Sequence, residues 1–268
     1  MTDVFAPRGI GQPVPRRGDR RFTAPALIAV AHGSRDPRSA ATMSAVVAEI
    51  AAARPDLDVR LAFLDLSAPS VEHVVEAVAG QGHTHAIVVP LLLGSAFHAR
   101  VDLPGLLDAC RARHPRLRLT QADVLGPDTR LIDALRDRVL DAIGTSTTVS
   151  ADRVGVAVAA VGSSSSAANA RTAAVARRLA AITGWHTEIC FATTEPTVHE
   201  AVSRLRVRGA DHILVAPWFL APGLLTDRLA AAAPDFVHAD ALGVHRAMVE
   251  IVWDRYDAAW AAALPLSA

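Results

Sequence analysis

Short aliphatic runs alternate with amphipathic segments along the first half of the chain. The aliphatic runs predict strands at residues 27–31, 59–64, 85–90 and 117–124. The amphipathic segments predict one helix that begins at Pro37 after the capping residue Asp36, and three more near 70–79, 102–113 and 128–143. Such alternation of strand and helix predicts a parallel sheet with right-handed crossovers.

The same pattern restarts after a polar segment at 144–152. Residues 69–90 align without gaps on residues 196–217, and Gly82 of the first segment falls on Gly209 of the second. Each segment begins and ends with proline, and each is followed later by a Leu-Gly pair that precedes a long predicted helix. We therefore predict an internal duplication.

The predicted fold class is α/β, with two tandem duplicated parallel-sheet βα units and a ligand cleft between them. The expected parts are a disordered tail (1–24), a catalytic unit (25–143), a linker (144–152) and a degenerate repeat (153–262).

Polar residues follow the first three predicted strands. They are His32 after the first strand, Asp65 after the second, and Gly94, Ser95, His98 and Arg100 after the third. Ligands of open parallel α/β sheets bind beyond the carboxyl ends of the strands. Two imidazoles and a carboxylate at one rim suit a borderline divalent metal, and the nearby glycines let a large ligand approach the backbone. The sequence therefore predicts a metal site at this rim.

The second unit provides an internal comparison for these residues. Aligned on the first unit, it has Val161 for His32, Ala192 for Asp65 and Leu225 for His98. The prolines and the glycine of the repeat persist while the three polar groups are lost together. We interpret the three as one functional set that only the first unit retains.

Composition excludes several other classes of protein. Lysine plus arginine equals aspartate plus glutamate, 27 each, so the net charge is zero and a general nucleic-acid binder is disfavoured. The two cysteines are far apart in sequence, which disfavours a disulfide scaffold and favours a reducing cytoplasm. Because we find no apolar run long enough to span a membrane and no signal peptide, we expect a cytoplasmic protein that binds no membrane.

Four segments of the first unit resemble the signature segments of the CbiX/SirB-type class II chelatases. They read, in order, AHGSRDPRS, FLDLSAPS, VVPLLLGSAFHARVDLP and VLGPDTRLIDAL. In the second unit, APWFLAPGLLTDRL and ALGVHRAMVEIVWDRY resemble the degenerate repeat of the two-domain members. The resemblance covers most of the chain, from about residue 25 to about residue 260.

The resemblance implies a lyase that inserts a divalent metal, Fe2+ or Co2+, into sirohydrochlorin in siroheme or cobalamin biosynthesis. The metal is then a substrate, and neither ATP nor an organic cofactor is needed. The family's two metal-binding histidines match His32 and His98, and its acidic residue, usually glutamate, matches Asp65. We expect the histidines to hold the metal and relay protons, since imidazole titrates near neutral pH.

The tetrapyrrole carries many carboxylates, for which arginines and backbone amides are suitable donors. The candidates are Ser34, Arg35, Arg38, Gly94, Ser95 and Arg100. We further expect the units to pack face to face, with Trp218, Phe219 and Leu225 as apolar wall, and the protein to be a monomer.

Three other functions remain open from the sequence. A metal or tetrapyrrole carrier would use the same histidines without turnover. A hydrolase or mutase could use His32 as nucleophile, although Ala31 stands where histidine phosphatases have arginine. A protein-interaction module built on a dead duplicate would not need the polar set of the first unit.

Overall fold

The structure, a computed structural model, describes residues 24–94, 101–126, 128–144 and 150–264. The elements of the first unit are β1 (Ala26–Ala31), α1 (Pro37–Ala53), β2 (Val59–Phe63), α2 (Val71–Gly80), β3 (His85–Pro90), α3 (Leu103–Arg113), β4 (Arg118–Gln121) and α4 (Thr129–Ile143). Those of the second are β5 (Val154–Ala160), α5 (Ser166–Thr183), β6 (His186–Phe191), α6 (Val198–Val207), β7 (His212–Pro217), α7 (Leu224–Ala232), β8 (Val237–His238) and α8 (Arg246–Ala263).

Each unit contains one parallel sheet of four strands. The strand orders are β2-β1-β3-β4 and β6-β5-β7-β8, so the second sheet repeats the topology of the first. The predicted α/β duplication is confirmed. Because every strand is parallel, the carboxyl ends of each sheet meet at one edge, where the loops after β1, β2 and β3 come together.

Helix α1 forms as its sequence predicts. The Asp36 side chain accepts a hydrogen bond from the Arg38 amide at 2.9 Å, and Pro37 occupies the first turn. The apolar face that packs on the sheet consists of Met43, Val46, Val47 and Ile50, all buried. Capping and packing together fix where this helix begins, and hence where the loop after β1 ends.

Strand β4 is shorter than the predicted 117–124, because the chain leaves the sheet after Gln121. The Leu125 amide donates to the Leu92 carbonyl at 3.1 Å, which draws the chain over the end of β3. A Cβ on Gly126 would lie 2.2 Å from the Leu93 carbonyl oxygen, so this crossing requires glycine. The aliphatic residues beyond Gln121 therefore pack in a loop.

One hydrophobic core runs through both units. The inner faces of the two sheets and four helices, α1, α4, α5 and α8, contribute to it. Separate clusters fill the outer faces, under α2 and α3 in the first unit and under α6 and α7 in the second. The final helices are exchanged: α4 contacts α5 and β7 of the second unit, and α8 contacts α1, β3 and β4 of the first.

Helix α8 is tied to the first unit by hydrogen bonds as well as by packing. Trp253 Nε1 donates to the Ile50 carbonyl at 3.2 Å, and the Tyr256 hydroxyl donates to the Pro25 carbonyl at 2.5 Å. Arg255 Nε donates to the Val124 carbonyl at 3.0 Å. The second unit thus supplies structural support directly beneath the sheet of the first.

Two sequence predictions fall mainly outside the described residues. Of the expected tail (1–24) only Ala24 is described, and of the expected linker (144–152) residues 145–149 lie outside. None of the helices in the described ranges is long and apolar enough to cross a membrane.

Candidate active site

A cleft of about 1100 Å³ lies between the two units. From the first unit its lining includes Ala31, His32, Gly33, Ser34, Arg35, Asp65, Leu66 and Gly94. From the second it includes Val161, Gly162, Ser163, Asn169, Trp218, Phe219 and Leu220–Thr226. The predicted cleft between the units is confirmed, and it has room for a large flat ligand.

His32 is the first residue after β1, and its exposed side chain lines the cleft. Its Nδ1 lies 3.3 Å from the carbonyl oxygen of Gly33, a contact that suits the tautomer protonated at Nδ1. Gly33 has φ of 94°, and a Cβ there would lie 1.7 Å from the Asp65 carbonyl oxygen. The loops that follow β1 and β2 therefore touch directly behind His32.

Asp65 is joined to His32 through the backbone. The Asp65 amide donates to the His32 carbonyl at 3.0 Å, so the two residues leave adjacent strands side by side. The carboxylate Oδ1 accepts a hydrogen bond from the Leu66 amide at 2.7 Å. Leu66 itself has φ of 61° and a side chain 49% exposed at the cleft. This turn presents the carboxylate on the same wall as the imidazole.

The remaining predicted residues divide into two groups. Ser34, Arg35 and Gly94 line the cleft beside His32 and Asp65. Ser95, His98 and Arg100 lie outside the described residues.

Arg38 is engaged elsewhere and is not among the residues that line the cleft. Its Nη2 donates to Asp36 at 2.5 Å and to Asp227 of the second unit at 2.5 Å. These hydrogen bonds raise the pKa of Arg38, and the bond from Arg38 lowers the pKa of Asp36. The pair with Asp227 links α1 to α7 beside the cleft, so the predicted carboxylate-binding role of Arg38 is not supported.

The described ranges contain no group of three histidine, cysteine or acidic side chains placed to hold a metal. His98 lies outside those ranges. Among the described residues, two of the predicted metal-site residues, His32 and Asp65, line the wall of the cleft that the first unit forms.

The strand registers correct one part of the alignment between units. The Leu64 and Asp65 amides bond the carbonyls of Ala31 and His32; those of Ala192 and Thr193 bond Ala160 and Val161 in the same way. Val161 is therefore confirmed as the counterpart of His32, but the counterpart of Asp65 is Thr193 and not Ala192. The reason is one extra residue in the first unit, between Phe63 and Pro69, relative to the span between Phe191 and Pro196.

The wall contributed by the second unit combines apolar and polar groups. Trp218, Phe219 and Leu225 line the cleft as expected, and Val161 faces it with 43% of its surface exposed. Asn169 had not been predicted: its side chain bonds both backbone groups of Ser163, at 2.9 and 2.8 Å. The repeat could have indicated Ser163, which occupies the place of Ser34, but no sequence signal marks Asn169.

The CbiX family model matches residues 26–142 and 155–259, which together make up most of the chain. The chain belongs to the CbiX family. Both repeats are matched, so membership rests on the whole duplicated architecture as well as on the His32 segment.

Similar proteins include two chelatases from Priestia megaterium. The sirohydrochlorin ferrochelatase is 29% identical over 85% of this chain and 87% of its own length. The sirohydrochlorin cobaltochelatase is 26% identical over 76% of this chain and 66% of its own length. Among solved structures, SirB from Bacillus subtilis with Fe3+ has a TM-score of 0.74 and 26% identity, covering 90% of this chain and 97% of that one.

Proposed function

We propose that this CbiX-family protein is a sirohydrochlorin chelatase that inserts a divalent metal into the tetrapyrrole. One observation carries the proposal: His32 and Asp65 share one wall of a cleft of about 1100 Å³ that both units line. The relatives from Priestia megaterium carry the same activity in their names, one with iron and one with cobalt. The metal ion is a substrate of this reaction, which requires no organic cofactor.

His32 and His98 are the proposed metal ligands and proton acceptors. Metal insertion requires a partly dehydrated ion and the loss of two pyrrole N–H protons. Neutral imidazole binds first-row divalent ions and accepts protons near neutral pH. Asp65 is proposed to orient or assist His32, and the backbone bond between the two residues supports this role because it keeps them side by side.

The substrate's carboxylates require donors at the edge of the cleft. Arg35 is the proposed charged donor among the described residues, since it is exposed and lines the cleft. Ser34 and the backbone at Gly94 are proposed to assist it, with Ser95 and Arg100 from the sequence motif. The apolar side chains of Val161, Leu224 and Leu225 offer the opposite wall as surface for the macrocycle.

The proposal leaves two physiological metals, Fe2+ for siroheme and Co2+ for cobalamin. A site of imidazole and carboxylate binds several first-row ions, so the cell's supply decides between them. We further propose a cytoplasmic monomer that binds neither nucleic acid nor membrane. The net charge of zero supports the first exclusion, and the internal duplication supports the monomer because one chain supplies both walls.

Multiple turnover distinguishes the enzyme from a carrier. Sirohydrochlorin in about fiftyfold excess is mixed anaerobically with Co2+ and the protein, and the absorption spectrum of the tetrapyrrole is followed. A chelatase metallates many equivalents well above the uncatalysed rate. If the accelerated phase ends after one equivalent per protein, the protein is a carrier.

A further inference from the structure

We propose that Ser67 is a positioning residue that holds the His32 loop and the Asp65 loop at a fixed spacing. This inference rests on the proposed function, because the spacing matters through those two residues. Ser67 is half-buried and is not among the residues that line the cleft, so it acts behind the site.

The geometry is a two-way clamp on one peptide segment. The Ser34 amide donates to Ser67 Oγ at 3.1 Å, and the Ser67 hydroxyl donates to the Ser34 carbonyl at 2.9 Å. A single side chain thus satisfies both backbone groups of Ser34, a residue of the cleft lining. The Ser34 hydroxyl in turn accepts from the Asp36 amide at 3.0 Å, which connects the clamp to the start of α1.

The clamp completes a closed set of contacts around His32. The His32 carbonyl accepts a hydrogen bond from the Asp65 amide at 3.0 Å. Two residues further along, Ser34 is held by Ser67, whose own amide donates to the Asp65 carbonyl at 2.7 Å. The two loops are therefore joined at the His32 carbonyl and again at Ser34, two residues further along the chain. Without the Ser67 hydroxyl, the backbone bonds from the Leu64 and Asp65 amides to Ala31 and His32 would remain, but Ser34 would lose its two bonds to the second loop.

The second unit, which lacks the histidine and the aspartate, stabilises its equivalent loop differently. Ser163, the counterpart of Ser34, has both backbone groups bonded by Asn169, which belongs to the helix that follows the same loop. Across the loops, the Thr193 hydroxyl donates to the Val161 carbonyl at 2.8 Å and reaches no further along the chain. In both units a side chain bonds the backbone of this serine. In the first unit that side chain comes from the neighbouring loop, which carries Asp65, and in the second it comes from the helix that follows the same loop. Among the described residues, a side-chain connection between the loops at this serine lies beside His32 and Asp65, whereas the connection in the second unit reaches Val161.

The test compares Ser67→Ala with Thr193→Ala, which removes a hydroxyl that joins the equivalent loops of the second unit and is not among the cleft-lining residues. Ser67→Thr restores a hydroxyl at the clamp. We measure kcat and KM for sirohydrochlorin with Co2+, the melting temperature, and the affinity for Co2+ in the absence of tetrapyrrole. Misplacement of a reacting group by about 1 Å can lower a rate about a hundredfold.

We expect Ser67→Ala to lower kcat at least tenfold with KM within twofold, Ser67→Thr to recover most of the rate, and Thr193→Ala to change the melting temperature alone. A kcat for Ser67→Ala within twofold of wild type, or an equal loss in Thr193→Ala, would overturn the proposal. If the wild type itself does not accelerate metallation, the proposed function fails, and Co2+ affinity then decides on Ser67. Weaker binding in Ser67→Ala than in Thr193→Ala supports positioning, and equal binding refutes it.

Discussion

At the scale of single residues, Gly33 shows how closely the loops that carry His32 and Asp65 approach each other. A side chain here meets two obstacles, a φ of 94° and the Asp65 carbonyl oxygen 1.7 Å from the position of a Cβ. Gly82 has a similar φ of 87°, but nothing lies within 4 Å of the position of its Cβ. Comparing alanine substitutions at these two glycines therefore separates the energetic cost of the backbone conformation from the energetic cost of the contact between the loops.

We expect Gly82→Ala to destabilise the protein by about 1–2 kcal/mol, the cost of left-handed backbone for an alanine, and to leave activity unchanged. Gly33→Ala should cost more and should abolish metallation, because the β2–α2 loop must move away from His32. Urea denaturation and metallation rates measure both effects. Equal stability of the two variants would show that the loops are not in the contact described.

Arg35 carries the charge that we assign to substrate binding. We expect Arg35→Ala to raise KM for sirohydrochlorin about tenfold or more with a smaller change in kcat, since a charge-assisted hydrogen bond is worth about 1.5–3 kcal/mol. Arg178 of α5, also exposed but not among the cleft-lining residues, provides the matched control. If both alanine variants bind the substrate like wild type, Arg35 has no part in recognition.

Sequence reasoning at this scale correctly located His32 and Asp65 at strand ends, where both line the cleft. It failed where the loops of the two units differ in length by one residue. This difference shifts the alignment between the units, so that Thr193 and not Ala192 is the structural counterpart of Asp65. Loop length is hard to locate by alignment because either side of the turn can absorb the difference. Ser67 and Asn169 carried no signal, since their roles depend on which backbone groups they meet.

At the scale of elements, α8 supports the first unit through a buried tyrosine. Burial raises the pKa of Tyr256 to about 12 from an ordinary value of 10.0, and its hydroxyl donates to the Pro25 carbonyl beside β1. The folded state therefore favours the protonated phenol. This contribution to stability is complete below about pH 10 and is lost as the pH rises toward about 12.

We expect Tyr256→Phe to cost about 1 kcal/mol at pH 7, the net value of one hydrogen bond. Between pH 10 and pH 12 the wild type should lose more stability than the variant, because only the wild type has a phenol to ionise. Chemical denaturation at several pH values tests this. Parallel declines of the two proteins would mean that Tyr256 does not contribute through ionisation.

At the scale of the whole molecule, the duplicated units exchange their last helices. Sequence periodicity predicted the alternation of strands and helices, but it could not predict that α4 covers the second sheet and α8 the first. An apolar helix face indicates that the helix is buried, but it does not indicate which sheet the helix packs against. Residues 25–143 and 153–262 are therefore units of sequence repetition, while the shared core binds them into one folded body.

We expect residues 24–144 expressed alone to remain unfolded or aggregated, because α8 is missing from one side of their sheet and α4 has lost its partners. Mixing them with residues 150–264 during refolding should restore helical content and a single cooperative transition. Circular dichroism and size-exclusion chromatography give the answer. A stable, monomeric fragment 24–144 would contradict the shared core.

We propose that His32 and His98 of the first unit insert a divalent metal into sirohydrochlorin. The most direct measurement is the anaerobic initial rate of metallation with Fe2+ and with Co2+, for the wild type, His32→Ala, His98→Ala and the control His73→Ala, whose histidine is exposed on α2. We expect metallation well above the uncatalysed rate in the wild type and in His73→Ala. We expect this acceleration to be lost in His32→Ala and in His98→Ala. Equal rates in wild type, His32→Ala and His98→Ala, or no acceleration with either metal, would contradict it.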